Sequence, residues 1–300
     1  MSKLTTLSDA IGKYVADGDT VYAAGFTHLI PFAAGHEIIR QRKRNLVLAR
    51  ATPDLIYDQM VAAGCARKVI FSYMGNPGVG SLRIVRTALE QGQLEWEEYS
   101  HFGMITRLQA GASGLPFLPM NQTAVTDLER ANPNIRRVAD PYGGQDVIVV
   151  PALNPDVAIV HVQRADADGN AHLWGIIGEQ KEAAFAAKKV ILTAEEIVDE
   201  SVIRSDPNRT LIPEVVVDAV CHVPYSCHPS YAQGYYDRDN EFYLQWDKIS
   251  DAPEAVKSWL DEWVYGVRDR AEYWDKLGGE VHKRLAIQPL MSEPINYGKY

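Results

Sequence analysis

Cysteine is scarce. The 300 residues contain three, Cys65, Cys221 and Cys227, an odd set without short regular spacing. Such a set builds no disulfide framework and fits a reducing compartment, so a cytoplasmic location is expected. Long apolar runs are missing too: none approaches the ~18 residues that a membrane-crossing helix requires. The opening segment from Met1 to Lys13 lacks the charged-then-apolar order of a secretory signal. Positive charge is in deficit, with 30 Lys and Arg against 39 Asp and Glu and a formal net charge of −9. That balance repels phosphate backbones and anionic lipid, so nucleic acid and membranes are not expected partners. What is present is an ordinary globular composition, 46% hydrophobic and 23% charged. A chain of this length buries roughly 75% of the surface its unfolded form exposes.

The first 120 residues repeat an amphipathic segment, a short β-branched run and a Gly or Pro. Ser8 is placed to cap a helix carrying Ile11, Tyr14 and Val15, stopped by Asp17-Gly18 before the strand Thr20 to Ala24. A helix from Pro31 to Arg40, the strand Leu46 to Ala49, a helix from Pro53 to Ala63, and the strand Val69 to Ser72 follow. The glycine-rich Gly75 to Ser81 then opens a helix from Leu82 to Gln91. Short apolar strands alternating with helices predict an α/β fold, an open and mainly parallel sheet flanked by helices. In the second half, Asp156 to Val162 and Ala171 to Trp174 flank a turn with an Asp-Gly step at Asp168-Gly169, predicting an antiparallel hairpin. A helix from Gly178 to Lys189, a strand from Val190 to Thr193, an apolar run from Val215 to Val223 and two helical stretches between Pro253 and Leu277 complete the pattern. Without repeats or low-complexity runs, residues 1–300 are expected to form a single domain, with 280–300 an arm that lies on a partner.

Several segments offer chemistry. Ser72 to Ser81 joins a strand end to a helix start, where backbone N–H groups and the helix dipole favour a carboxylate, phosphate or thioester oxygen. It lacks the Gly-Lys-Ser/Thr of a P-loop and the third glycine of a dinucleotide fingerprint, and a tight strand-to-helix turn explains the same glycines. Gly25-Phe26-Thr27-His28 holds the corresponding place after the first strand, where His28 is a candidate donor to an anion or else a packed loop residue. His101 would stand at another strand end, as a donor or acid/base or an ordinary edge residue. Glu97 and Glu98 point to opposite sides of a strand and read as a solvated face. Cys221-His222 and Cys227-His228 suggest metal ligands, yet Cys-x₅-Cys is no recognised knuckle and a thiol in an apolar strand is normal, so no metal is expected. The aromatic group Tyr225, Tyr231, Tyr235, Tyr236, Phe242, Tyr243 and Trp246 reads as a subunit interface rather than an acyl pocket. Glu179 is the obvious carboxylate on a loop at a helix start, though the helix dipole accounts for it. There is no Gly-x-Ser-x-Gly elbow for serine catalysis.

Asp17 to His28, Gly75 to Gly80, Ala110 to Pro116, Asp168 to Asn170 and Trp174-Gly175 together resemble the A (α) subunits of two-chain family I CoA-transferases, nearly end to end. Ala24 stands where that family has the first glycine of its Gly-Gly-Phe signature. The α subunits of glutaconate CoA-transferases share this layout. Gly25 to Pro31, Thr52 to Gln59, Gly75 to Leu82, Cys221 to Pro224 and His228 to Tyr231 look closer to the α subunits of the 3-oxoadipate CoA-transferases of aromatic catabolism. The resemblance implies a ping-pong exchange through a glutamyl-CoA thioester, with CoA moving from succinyl-CoA to 3-oxoadipate or a similar short dicarboxylic or 3-oxo acid. The nucleophilic glutamate would sit on a β subunit, so no catalytic nucleophile is expected in this chain, and an α2β2 assembly is implied. A CoA-thioester hydrolase or lyase on the same fold is the alternative, as is a glutaconate enzyme. No cofactor would be bound permanently, and the CoA thioester would be a substrate. Gly25, Phe26, His28, Asn76, Gly78, Val79, Gly80 and Ser81 would line the acyl group. His101 would support them where glutaconate and succinyl-CoA:3-oxoacid enzymes carry glutamine, a departure that matches the 3-oxoadipate type.

Overall fold

The computed structural model describes residues 2–76, 80–120 and 126–287, with only the backbone of Asn76. In the first half, helices and strands alternate as α1 (Leu7–Tyr14), β1 (Thr20–Ala23), α2 (Phe32–Arg40), β2 (Leu46–Ala49), α3 (Leu55–Ala62) and β3 (Ala66–Phe71). The two-residue strands β4 (Gly75–Asn76) and β5 (Gly80–Ser81) precede α4 (Arg83–Glu90), β6 (Glu95–Glu98) and α5 (His101–Ala112). Then come β7 (Phe117–Pro119), α6 (Leu128–Ala131), β8 (Arg136–Val138), β9 (Val147–Pro151), β10 (Val157–Ala165) and β11 (Ala171–His172). The remainder holds α7 (Gln180–Ala186), β12 (Lys189–Ile197), α8 (Glu200–Ser205), β13 (Thr210–Ile212), β14 (Ala219–His222), α9 (Asn240–Ile249), α10 (Pro253–Leu260), α11 (Arg270–Leu277) and α12 (Gly279–Leu285).

The strands run β14-β12-β10-β1-β2-β3-β6, every neighbouring pair parallel, within a nine-stranded sheet. Strand β11 returns antiparallel on the far half of β10 and carries β13, which is the expected hairpin around Asp168-Gly169. A separate antiparallel sheet, β7-β9-β8, lies outside the main one. Because side chains alternate along a strand, each strand feeds two cores. Val21 and Ala23 face α1, α2, α3, α4, α9 and α10, whereas Tyr22 and Ala24 face α5, α7, the small sheet and Trp274 of α11. Burial on both faces explains the apolar runs Val21 to Ala23 of β1, Leu46 to Ala49 of β2 and Val157 to Val160 of β10.

Local signals were displaced in places. Thr6, not Ser8, caps α1 by accepting from Asp9 N at 3.1 Å. The helix expected to Lys189 ends at Ala186, because Lys189 already pairs in β12, and β12 itself extends past Thr193 to Ile197. The run from Val215 to Val223 is divided, a short 3₁₀ turn at Glu214–Val216 preceding β14. Residues 280–285 of the expected arm belong to α12, and 288–300 lie outside the described residues.

Candidate active site

Parallel strands deliver their carboxyl-end loops to one side of the sheet, and there the loops after β1, β2, β3 and β6 meet. The Ser72 and Tyr73 amides both donate to the Ala51 carbonyl, at 3.0 and 3.1 Å, tying the β3 exit to the β2 exit. Ser100 accepts from Gly103 N at 3.0 Å, which starts α5 immediately after β6 and makes His101 its first residue. His101 Nε2 then lies 2.6 Å from Thr52 Oγ1. The Phe26 ring meets the His101 imidazole edge-on, with centroids 6.1 Å apart at 86°. Thr52 is buried while His101 is exposed, and partial burial lowers the His101 pKa, favouring the neutral ring. Thr52, Phe26 and His101 thus form a hydrogen-bonding and aromatic edge to the crevice. Sequence reading placed His101 and Phe26 there but missed Thr52, although the β-end position before Pro53 was a usable signal.

The Gly25 to Leu29 loop is tightly coiled. Gly25 has φ +132°, and a Cβ on it would stand 2.8 Å from both the His28 and Leu29 carbonyl oxygens, so glycine is required. Thr27 and Leu29 have φ 56° and 55°, a costly region for side-chain-bearing residues of about 1–3 kcal/mol each. The Gly25 carbonyl accepts from buried Arg50 Nη2 at 2.6 Å.

His28 does not face an anion. It is fully buried, its Nδ1 lies 3.0 Å from the Ile176 carbonyl, and its Nε2 accepts from Gln233 N at 3.0 Å. Burial lowers its pKa to about 4, which keeps the ring neutral as these two contacts require. The packed-residue reading prevails, and His28 staples three loops.

The Gly75 to Ser81 segment is also different from expectation. Gly75 pairs with Ser81 and Asn76 with Gly80 in a small antiparallel ribbon, not a tight strand-to-helix turn. Gly80 and Ser81 are exposed, and Gly78 and Val79 lie outside the described residues. The first turn of α4 is already occupied: Asp58 Oδ1 accepts from Val85 N at 2.9 Å, and Oδ2 from Trp246 Nε1 at 3.0 Å. Burial raises the Asp58 pKa to about 6 against these hydrogen bonds. A protein carboxyl therefore sits where an anionic substrate was expected at this helix start.

Other carboxylates are engaged. Glu97 is not part of a solvated face; it pairs with Lys68, with Arg107 at 3.5 Å, and accepts from Tyr99 OH at 2.9 Å. Burial pulls its pKa up, but these partners hold it below the usual carboxylate value. Glu179 is buried, its pKa raised by desolvation against the opposing Arg50 charge. Of the expected interface aromatics, Tyr231, Tyr236, Phe242, Tyr243 and Trp246 are instead core residues of this chain. The loop between β14 and α9 folds inward, where burial of their rings outweighs their availability to a partner.

The Cys-His pairs do not converge. Cys221 is buried in β14, and His228 is held between Tyr273 OH and Asp239 Oδ2, both at 3.0 Å. The metal-type donors that meet are His161, Glu195 and Cys227, within 4.8 Å of one another, a set that sequence spacing did not suggest. Its members already have partners: His161 Nε2 and Tyr236 OH bond Glu195 Oε1 at 2.8 and 2.7 Å, and Tyr225 N donates to Oε2 at 2.8 Å. Two grooves lie elsewhere, one of about 1080 Å³ beside the starts of α1 and α11 and one of about 710 Å³ among α3, α4 and α10. Neither is lined by Phe26, Thr52 or His101.

The sequence matches the Coenzyme A transferase family over residues 4–222. It is 50% identical over 280 residues to the α subunit of the 3-oxoadipate CoA-transferase of Pseudomonas knackmussii, covering 92% of this chain and 99% of that one. It is 36% identical to the α subunit of the glutaconate CoA-transferase of Acidaminococcus fermentans, covering 100% of this chain and 99% of the relative. The crystal structure of glutaconate CoA-transferase from the same organism superposes with a TM-score of 0.88 at 36% identity, covering 96% of each chain. This chain belongs to the coenzyme A transferase family, as an α subunit of the family I type.

Proposed function

We propose that this chain shapes the acyl side of a CoA-transferase that moves CoA from succinyl-CoA to 3-oxoadipate. The observation that carries the choice of substrates is the 50% identity, over nearly the whole chain, to the α subunit of a 3-oxoadipate CoA-transferase. The geometry supports a division of labour. The carboxyls behind the crevice, Glu97 and Glu179, are buried or ion-paired, and a carboxylate so engaged is a poor nucleophile. The attacking glutamate is assigned to a β subunit docked over the open edge at Phe26, Thr52 and His101. Its carboxylate oxygen bonds to the thioester carbonyl carbon, the carbonyl electron pair moves to oxygen, and its return expels CoA thiolate with the C–S pair. The thiolate attacks the resulting mixed anhydride, giving succinate and a glutamyl-CoA thioester, and the acceptor acid then repeats the exchange in reverse. His101, neutral and held by Thr52, hydrogen-bonds the acyl oxygen as charge develops.

In this reading residues 1–300 act as one unit in a cytoplasmic α2β2 assembly without a resident cofactor. Gly25 and Phe26 border the acyl group directly. Gly80 and Ser81 approach it from the ribbon rather than from a helix start, and Asn76, Gly78 and Val79 are assigned to the same acyl side. The test is coexpression with the adjacent β-subunit reading frame, thioester exchange assays with succinyl-CoA and 3-oxoadipate, and borohydride trapping after acyl-CoA addition. Exchange with a trapped glutamyl thioester on the β chain is expected. Exchange with glutaconate but not 3-oxoadipate would replace the substrate assignment, and hydrolysis or carbon–carbon cleavage without a trappable thioester would replace the reaction.

A further inference from the structure

Arg50 follows β2 directly and is fully buried. A buried guanidinium is costly unless its charge is compensated and its donors are used. Here Nη2 donates to the Gly25 carbonyl at 2.6 Å, while Nε and Nη1 have no hydrogen-bond partner among the described residues. Burial raises the pKa values of the buried Glu179 and Asp54, and the Arg50 charge opposes both rises. The direct hydrogen bond of this cation goes to a backbone oxygen. The fold thus spends a buried positive charge on the Gly25–Phe26 peptide.

The stereochemistry of that peptide gives the arrangement its consequence. The bond is trans, so its C=O and N–H point in opposite directions. With the Gly25 oxygen turned to Arg50, the Phe26 N–H points the opposite way along the same peptide, in the residue whose ring meets His101. A charge-assisted hydrogen bond on the carbonyl both fixes the plane and polarises the amide, making its N–H a stronger donor. The loop is otherwise costly to hold, with Thr27 and Leu29 at positive φ, and a rigid anchor is what such a segment needs to keep one orientation.

We propose that Arg50 is a positioning residue for acyl transfer: through the Gly25 carbonyl it presents the Phe26 N–H to the thioester carbonyl oxygen of the substrate. Glu179 serves it by balancing the charge. This rests on the CoA-transferase reading above and adds a residue that does not touch substrate. As a carboxylate oxygen bonds to the thioester carbon, the π pair moves to the carbonyl oxygen, which the Phe26 N–H then holds; when the pair returns, the C–S bond breaks and thiolate leaves.

The experiment compares the assembled two-chain enzyme with Arg50→Lys, Arg50→Gln, Glu179→Gln, and Arg50→Met combined with Glu179→Gln. The double substitution removes both charges together, so no lone buried ion is left to unfold the protein. Each variant is checked for assembly and melting temperature, then for kcat and KM separately. The expected result is a kcat lower by roughly 10- to 100-fold in the double variant, as for a misplaced catalytic contact, with KM for the acyl thioester within about threefold. Glu179→Gln alone lowers the melting temperature more than the double variant does, because it leaves the buried Arg50 charge uncompensated, and Arg50→Lys recovers more activity than Arg50→Gln. If the double variant does not assemble, Arg50→Gln carries the same kcat expectation. Parental kcat in the double variant or in Arg50→Gln, or a change confined to KM, overturns the proposal. Absence of thioester exchange in the parental complex would instead overturn the transferase reading itself, which keeps the two failures separate.

Discussion

Thr52 Oγ1 and His101 Nε2 lie 2.6 Å apart although 49 residues separate them in sequence. Each stands where a strand of the parallel sheet has just ended, and the β3 exit between them is tied to the Thr52 side through Ala51. The contact engages the imidazole through Nε2.

Replacing His101 by Ala should lower the rate of thioester exchange by about 10- to 100-fold, the worth of one hydrogen bond to developing charge. Because His101 is exposed, the melting temperature should stay within a few degrees. Thr52→Val keeps the shape and removes the hydroxyl, and should cost about 1 kcal/mol of stability with a smaller, severalfold loss of kcat. Steady-state kinetics and thermal unfolding of the assembled enzyme separate the two effects; unchanged turnover in His101→Ala would remove this side chain from the site.

Gly25→Ala should destabilise the chain by about 2 kcal/mol or more, since a Cβ at φ +132° meets two carbonyl oxygens at 2.8 Å. Gly80→Ala is a contrast. Its φ is +113°, yet nothing lies within 4 Å of the added methyl, so the cost should be near 1 kcal/mol and come from the backbone alone. Urea unfolding of both variants measures the difference, and equal losses would contradict it.

The buried His28 predicts a pH dependence of stability. Its folded pKa, about 4, is below its ordinary value of 6.5, so the unfolded chain binds the proton first as pH falls. Its contribution is complete above pH 6.5 and is lost progressively between 6.5 and 4, at up to about 1.4 kcal/mol per pH unit. His28→Asn should flatten the curve of stability against pH by that amount in this window. Parallel curves for parent and variant, from urea unfolding at several pH values, would show that His28 titrates normally.

Glu195 accepts from Tyr236 OH at 2.7 Å and from Tyr225 N at 2.8 Å, and it binds His161 at 2.8 Å, so it fastens the β14–α9 loop to β10 and β12. Glu195→Ala leaves those partners buried without an acceptor and should cost about 3–5 kcal/mol. The loss should appear in denaturant unfolding, and a near-neutral substitution would mean that the network is not a fastening.

The alternation of apolar runs with amphipathic segments sufficed for the α/β class and the parallel sheet, because strands buried on both faces are mostly apolar, as β2 is throughout and β10 is over Val157 to Val160. Asp168-Gly169 marked the hairpin since a reversal needs that backbone geometry, which Gly169 adopts at φ +104°. The family resemblance also lay in linear motifs, as did the loops carrying Phe26 and His101.

Tertiary structure decided what each polar side chain meets. His28 and Glu179 have the composition of site residues, but burial turned one into a neutral staple and raised the pKa of the other against the opposing charge of Arg50. Asp58 came from α3 to fill the start of α4, a pairing across 27 residues that no local pattern encodes. Thr52 and Arg50 gained their roles only when parallel strands, each joined by a helix crossing over the sheet, brought their carboxyl ends together. Periodicity reports which face of an element is apolar; which distant groups share that end of the sheet is fixed by strand order and packing.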